Sequence, residues 1–183
     1  MKIVGFKINL RVKDVQRRAK RLRLDLEGSS LDELKMESLL KTVVNNMRPA
    51  VLFETFQPDA EQPLLSPLPG LAYSLVLATL GNWQSRQNPA LDAPLAKILE
   101  EAALEDCIRF ATSLLDEEAV KESCELSPTT ALAQTPALET VLGKLDGSKI
   151  AVVLSEGKLC PPASLALSLS WLSKSKANKG KTK

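Results

Sequence analysis

The chain has 183 residues, 44% of them apolar and 25% charged, with a formal net charge of +2. These values lie near the averages for globular proteins, which argues against a disordered or membrane-spanning chain, and the length suits one hydrophobic core. Histidine is absent, and Cys107, Cys124 and Cys160 fit no metal or disulfide spacing; histidine-dependent hydrolytic triads are thereby excluded, and a zinc site is argued against.

Val4, Phe6, Ile8 and Leu10 alternate with polar or small residues, which predicts a strand over residues 2–10 with one buried face. Val12, Val15, Ala19 and Leu22 recur at helical spacing among basic residues, predicting a helix over 12–24 that stops near Gly28. Ser30 and Glu33 have capping-box spacing, and Leu31, Leu34, Leu40, Val43 and Met47 follow on one face; a second helix should end before Pro49. Residues 50–57 read as a strand, and 58–70, with four prolines, as a loop.

A third, mostly buried strand is expected over 71–79, ending before Gly81. Asp92 and Pro94 have the residue types of a helix start, and apolar positions from Leu95 to Leu115 continue the pattern into the longest helix. Thr135-Pro136 opens a short helix to Leu145, Asp146-Gly147 turns the chain into an apolar strand over 150–154, and Glu156-Gly157 turns it again. Leu165, Leu167, Leu169 and Trp171 alternate as a last strand. Without strict βαβ alternation, these elements predict a single α+β domain over residues 1–172: a twisted, mainly antiparallel sheet with helices packed on it.

Charge is unevenly placed. Residues 1–25 hold nine bases against two acids, a balance of +7, and residues 92–125 hold three bases against ten acids, a balance of −7. The lysine-rich stretch 173–183 reads as a disordered tail. No apolar run reaches the roughly 20 residues of a membrane span, and no signal-peptide pattern follows the basic start. A cytoplasmic protein without a membrane partner is the expectation.

Phosphate-cradling glycine patterns are missing. The basic residues Arg17, Arg18, Lys20, Arg21 and Arg23 offer a surface to a phosphate backbone, but no aromatics interleave with them for base stacking; a solvated face is the plainer reading, and nucleic acid is not the expected partner. Asp14, Glu54, Glu105, Asp106 and Glu156 are candidate bases only if burial raises their pKa. Cys160, in Leu-Cys-Pro-Pro, has no neighbouring base in sequence and reads as a small buried thiol.

Three segments, taken in order, carry a family resemblance. Leu75-Val76-Leu77-Ala78-Thr79-Leu80-Gly81 precedes a long helix with Glu105 at its middle; Leu126-Ser127-Pro128 lies ahead of Pro136; and Ile150-Ala151-Val152-Val153-Leu154-Ser155-Glu156 precedes Pro161-Pro162-Ala163-Ser164-Leu165-Ala166. Together, over residues 3–172, they resemble the activation domain of cobalamin (vitamin B12)-dependent methionine synthase, particularly its stand-alone relatives.

The resemblance implies a domain that binds S-adenosylmethionine and presents its methyl group to an oxidised corrinoid, as part of a cobalamin-dependent methyltransferase system in methionine biosynthesis. It implies ligand-binding positions at Glu125, Ser127, Pro128, Thr129, Thr130, Glu156, Pro161 and Ser164, with Thr79 and Gly81 nearby. Cobalamin would come only through a partner, a corrinoid protein or methionine synthase, and no residue of this chain would itself be catalytic. The sequence departs from the family where a glycine and a tyrosine are expected, at Thr129 and Thr130, and where an arginine is expected, at Glu125. An arginine would pair with the ligand carboxylate as a bidentate fork, whereas a glutamate sets like charge against it. The expectation is a retained fold with weakened, altered or lost affinity for S-adenosylmethionine. The alternative is a non-catalytic protein-binding module that kept the fold and lost the ligand.

Overall fold

Gly5 decides how the chain begins. Its φ of +68° lies in the left-handed region, which a residue with a Cβ rarely adopts, so β1 (Lys2–Val4) ends there instead of running to residue 10. Its amide donates to the Pro49 carbonyl at 2.9 Å. The turn also shifts the alternation by one residue: Ile3 faces the core before it, and Phe6, Ile8 and Leu10 face the core after it, while Val4 is exposed.

In this computed structural model, residues 1–23, 33–58, 65–83, 91 and 93–174 are described. The expected Ser30/Glu33 capping box, the Gly28 stop and the Asp92 cap lie outside them, as does the expected tail beyond residue 174. Lys174 still donates to Ser123.

Helix α1 (Val12–Arg21) buries Val15 and Ala19. Helix α2 (Glu33–Asn46) turns Met36, Leu40 and Val43 inward, followed by Met47 just past its end. Leu34, expected on that face, is 77% exposed, because the inward spacing runs through Met36 instead. Strand β2 (Ala50–Phe56) pairs antiparallel with β1 and with β3 (Ala72–Thr79). Helix α3 (Ala93–Lys121) follows, longer at its C-terminal end than the apolar pattern predicted.

Short strands β4 (Cys124–Leu126) and β5 (Thr130–Leu132), which the sequence reading did not anticipate, lie along β8 (Ser164–Ser173). Helix α4 (Thr135–Leu145) has Gln134, not Thr135, as its N-cap. The expected strand over 150–154 is instead a 3-10 helix (Gly147–Ile150), a left-handed Ala151 (φ +56°), and a short strand β6 (Val153–Ser155). Periodicity cannot tell a short apolar run in a strand from one in a tight turn. Strand β7 (Lys158–Cys160) pairs with β6 through the two-residue turn Glu156-Gly157, both at positive φ, which is the hairpin geometry that matches strand twist.

The result is a single-domain α+β fold with a curled antiparallel sheet in the order β1-β2-β3-β8-β4, with β5 also on β8. Strand β3 is buried on both faces. Val76, Ala78, Leu167, Leu169 and Trp171 join the core under α1, α2 and α3, and Tyr73, Leu75, Leu77 and Ala166 join the core under α4. Among the described residues, no helix is long and apolar enough to cross a membrane.

Helix α1 is tied to α3 by a two-pronged Arg18–Glu105 pair, which holds the Glu105 carboxyl below its ordinary pKa mainly through that hydrogen bond. A carboxyl depressed in the folded state stabilises the fold above its unfolded pKa and loses that contribution as pH falls through the folded value. Burial pushes Glu100 the other way, so folding disfavours its ionised form as pH rises. The Glu105 side chain is 62% exposed, so solvent screening limits its pair to roughly 0.2–1 kcal/mol. Glu105→Gln is therefore expected to flatten the acid limb of stability below about pH 4.5 by that amount, measured by urea unfolding across pH; an unchanged limb would show that the pair contributes nothing.

Candidate functional site

Strands β4 and β5 are two halves of one strand interrupted by a bulge. Leu126 pairs with Trp171, and the Ser127 amide donates to the Ser170 carbonyl at 2.9 Å; beyond the interruption, Thr130 pairs with Ser168. Pro128 and Thr129 thus stand opposite the single residue Leu169, the two-against-one count of a β-bulge. Proline has no N–H to donate, so the ladder breaks at that point. The bulge opens a groove of about 320 Å³ against α3, lined by Thr112, Asp116, Leu126, Ser127, Pro128, Thr129 and Leu169.

The Ser127 hydroxyl is already engaged. It accepts the buried Ser170 amide at 2.9 Å, standing in for the backbone carbonyl that the bulge removes, and donates to the Pro128 carbonyl at 3.0 Å. Ser127→Ala would leave the buried Ser170 N–H without an acceptor, an expected loss of about 1–3 kcal/mol. Thermal unfolding checks this: wild-type stability for the alanine variant would mean that the hydroxyl does not hold the bulge.

Of the sequence-predicted residues, Ser127, Pro128 and Thr129 line this groove, while Glu125 and Thr130 flank it on β4 and β5. The second group lies elsewhere. Ser164 donates to the Thr79 hydroxyl at 2.8 Å, and Thr79 also accepts the Gly81 amide at 3.1 Å. Thr79, Gly81 and Pro161 line a separate cavity of about 480 Å³ with Arg48, Asn82, Ser148, Lys149 and Ala151. Glu156 sits in the β6–β7 turn and lines neither. Along β8, Ser164 and the Ser170 partner of Ser127 are six residues apart, roughly 20 Å at strand rise. Apart from Glu156, the expected residues therefore form two separate clusters, one at the start of β8 and one beside Leu169 further along it.

Sequence reasoning missed the bulge partners Thr112 and Asp116 on α3, and Arg48 and Lys149 in the second cavity. Thr112 and Asp116 are i and i+4 on the helix face beside the buried row, a spacing that is readable only once the facing strand is known. Arg48 precedes Pro49 and donates to the carbonyls of Asn45 and Met47; nothing in its local pattern marks it.

No known family model matches the sequence, and no curated protein is similar to it.

The remaining candidates for acid, base or nucleophile have structural roles or stand open to solvent. Asp14 pairs with Arg17, and Asp106 pairs with Arg109 while accepting the Asn9 amide at 2.8 Å. Burial pushes the Cys107 thiol up to about 12, so it stays protonated near neutral pH and is inert. Cys160 is exposed. Among the described residues, no group of three or more potential ligands could hold a metal ion. The groove at the bulge offers shape, a carboxylate at Asp116 and apolar walls at Leu126, Pro128 and Leu169.

Proposed function

We propose that this protein is an accessory component of a corrinoid-dependent methyl-transfer system, binding S-adenosylmethionine at the Pro128–Thr129 bulge while a partner supplies cobalt and electrons. The observation that carries this reading is the bulge itself. The Ser-Pro segment on which the family resemblance rests interrupts an edge strand and opens a groove, and bulges occur preferentially beside functional sites.

The lining fits one half of that ligand. Asp116 offers a carboxylate to the sulfonium and amino group, and Leu126, Pro128 and Leu169 offer apolar surface. Among the described residues, no cation lines the groove for the ligand carboxylate, and Glu125 on the flanking strand adds negative charge. Weak binding is the consequence, with preference for the cationic end of the molecule.

Calorimetric titration with S-adenosylmethionine, alone and with a cobalamin-loaded partner domain, tests this. Saturable binding that weakens on Asp116→Asn and tightens on Glu125→Arg, which sets a cation in place of the like charge beside the ligand carboxylate, is the expected result. Absence of binding up to millimolar ligand in both formats would overturn it.

The second reading, a protein-binding module without the small ligand, is favoured by the separation of the two clusters along β8. The bulge stands opposite Leu169, five residues along β8 from Ser164, roughly 17 Å at strand rise, so a ligand centred there leaves Pro161 and Ser164 without a role.

A further inference from the structure

Residues 6–10 have the side-chain pattern of a strand but, among the described residues, no partner strand. Phe6, Ile8 and Leu10 turn toward the core, with Phe6 stacked on Phe110 at 4.6 Å, while Lys7, Asn9 and Arg11 are exposed. The ladder to β2 nevertheless stops at Val4. Among the described residues, only the Asn9 amide of this segment finds an acceptor, Asp106; the other amides from Phe6 to Leu10, and the carbonyls of the same residues, have none. Backbone groups in this state are the template for an added strand.

This open edge borders the largest groove described, about 530 Å³, between residues 7–13 and α2. Its floor is Ile8, Leu10, Leu40 and Val44. Its rim carries Lys7, Arg11, Lys13 and Lys41 against the single carboxylate of Glu37, and among the described residues none of these four cations has a carboxylate partner. The surface therefore combines unpaired main chain, an apolar floor and an uncompensated positive rim. Nucleic acid would want exposed aromatics for stacking, yet Phe6, the one aromatic of this segment, is held against Phe110.

We propose that this edge docks an extended acidic peptide segment of a partner protein, which adds a strand along residues 7–11 and sets its carboxylates against Lys7, Arg11, Lys13 and Lys41. Main-chain pairing supplies the affinity in such strand addition, alternate side chains reach the apolar floor, and rim charge raises the rate of encounter and selects acidic partners. The proposal goes beyond the reading at the bulge: the two grooves share no lining residue, so either can fail without the other.

The test uses the full chain and a fluorescein-labelled synthetic peptide of alternating glutamate and valine, followed by anisotropy and by amide hydrogen exchange. Saturable binding is expected, weakening as salt rises because the Debye length shortens, together with slowed exchange at the Ile8 and Leu10 amides, which point away from the edge where Asn9 meets Asp106. The same peptide N-methylated at alternate residues keeps its charge and loses its ladder donors; it should bind about tenfold more weakly or worse. The double variant Lys7→Glu/Lys41→Glu, both positions exposed, should weaken binding about tenfold while leaving thermal unfolding unchanged. Equal affinity for the plain and N-methylated peptides would reduce the surface to a charge patch and overturn strand addition. Tighter binding of a thymidine oligonucleotide than of the peptide, or no protection at residues 7–10 under saturating peptide, would overturn it as well.

Discussion

Trp171→Ala is expected to destabilise the fold by about 3–5 kcal/mol, the range for deleting a large buried aromatic. Trp171 is 3% exposed and lies in the core beneath α1, α2 and α3. Its indole Nε1 donates to the Ser74 hydroxyl at 2.7 Å, and Ser74 in turn shares a 2.7 Å hydrogen bond with Thr55. The side chain thus fills volume and anchors a polar chain running across β8, β3 and β2. Trp171→Phe separates the two roles: it keeps most of the volume and removes the donor, so its cost should fall nearer 1–2 kcal/mol. Urea unfolding followed by far-ultraviolet circular dichroism measures both variants, with a lowered midpoint and an unchanged slope expected. A loss below about 1 kcal/mol for the alanine variant would mean that neighbouring side chains refill the site, against the close packing assigned to it.

How much of this was legible in the sequence depended on whether a local pattern was enough. Strands β2, β3 and β8 and helices α3 and α4 were readable because each is a long apolar run or a regular apolar pattern sustained over seven residues or more. The N-terminal strand was misjudged at Gly5, where a positive φ moved the alternation by one residue, so that Ile3 and not Val4 faces inward. Strands β4 and β5 escaped notice because each is three residues long and depends on β8 for its pairing. The apolar run after Asp146 failed as a strand because Ile150 ends a 3-10 helix and Ala151 is left-handed.

The candidate site was legible as a segment and not as a place. Ser127-Pro128 falls at the bulge that opens the groove, since proline in an edge strand breaks a ladder wherever it falls. Thr112 and Asp116, which complete the groove, come from a helix whose position over the sheet no local pattern states. Pro161 and Ser164 were grouped with Ser127 on the strength of the resemblance, yet the antiparallel register of β8 sends them to its start, away from the bulge. Strand direction, a tertiary property, decides which motif residues meet.

The placement of α3 sets the groove at the bulge, and its packing yields the second large effect. Leu95, Leu99, Ala103, Cys107, Ala111, Leu115 and Ala119 are all buried at an unbroken spacing of four, the i±4 row by which a helix seats against its neighbours. Four of the seven are alanine or cysteine, which lets the helix backbone approach the sheet closely. Leu95 and Leu99 are the large side chains in the first half of that row, and Leu99 is fully buried. Leu99→Ala should therefore cost about 2–5 kcal/mol, toward the upper end if α3 cannot settle into the cavity. Ala103→Leu, one turn on, should also destabilise, by about 1–3 kcal/mol, because the row leaves no room for added methylenes. Urea unfolding of both variants decides the matter. A tolerated leucine at 103 would mean that the small residues do not set the helix–sheet distance, and the groove lined by Thr112 and Asp116 would then owe its shape to the bulge alone.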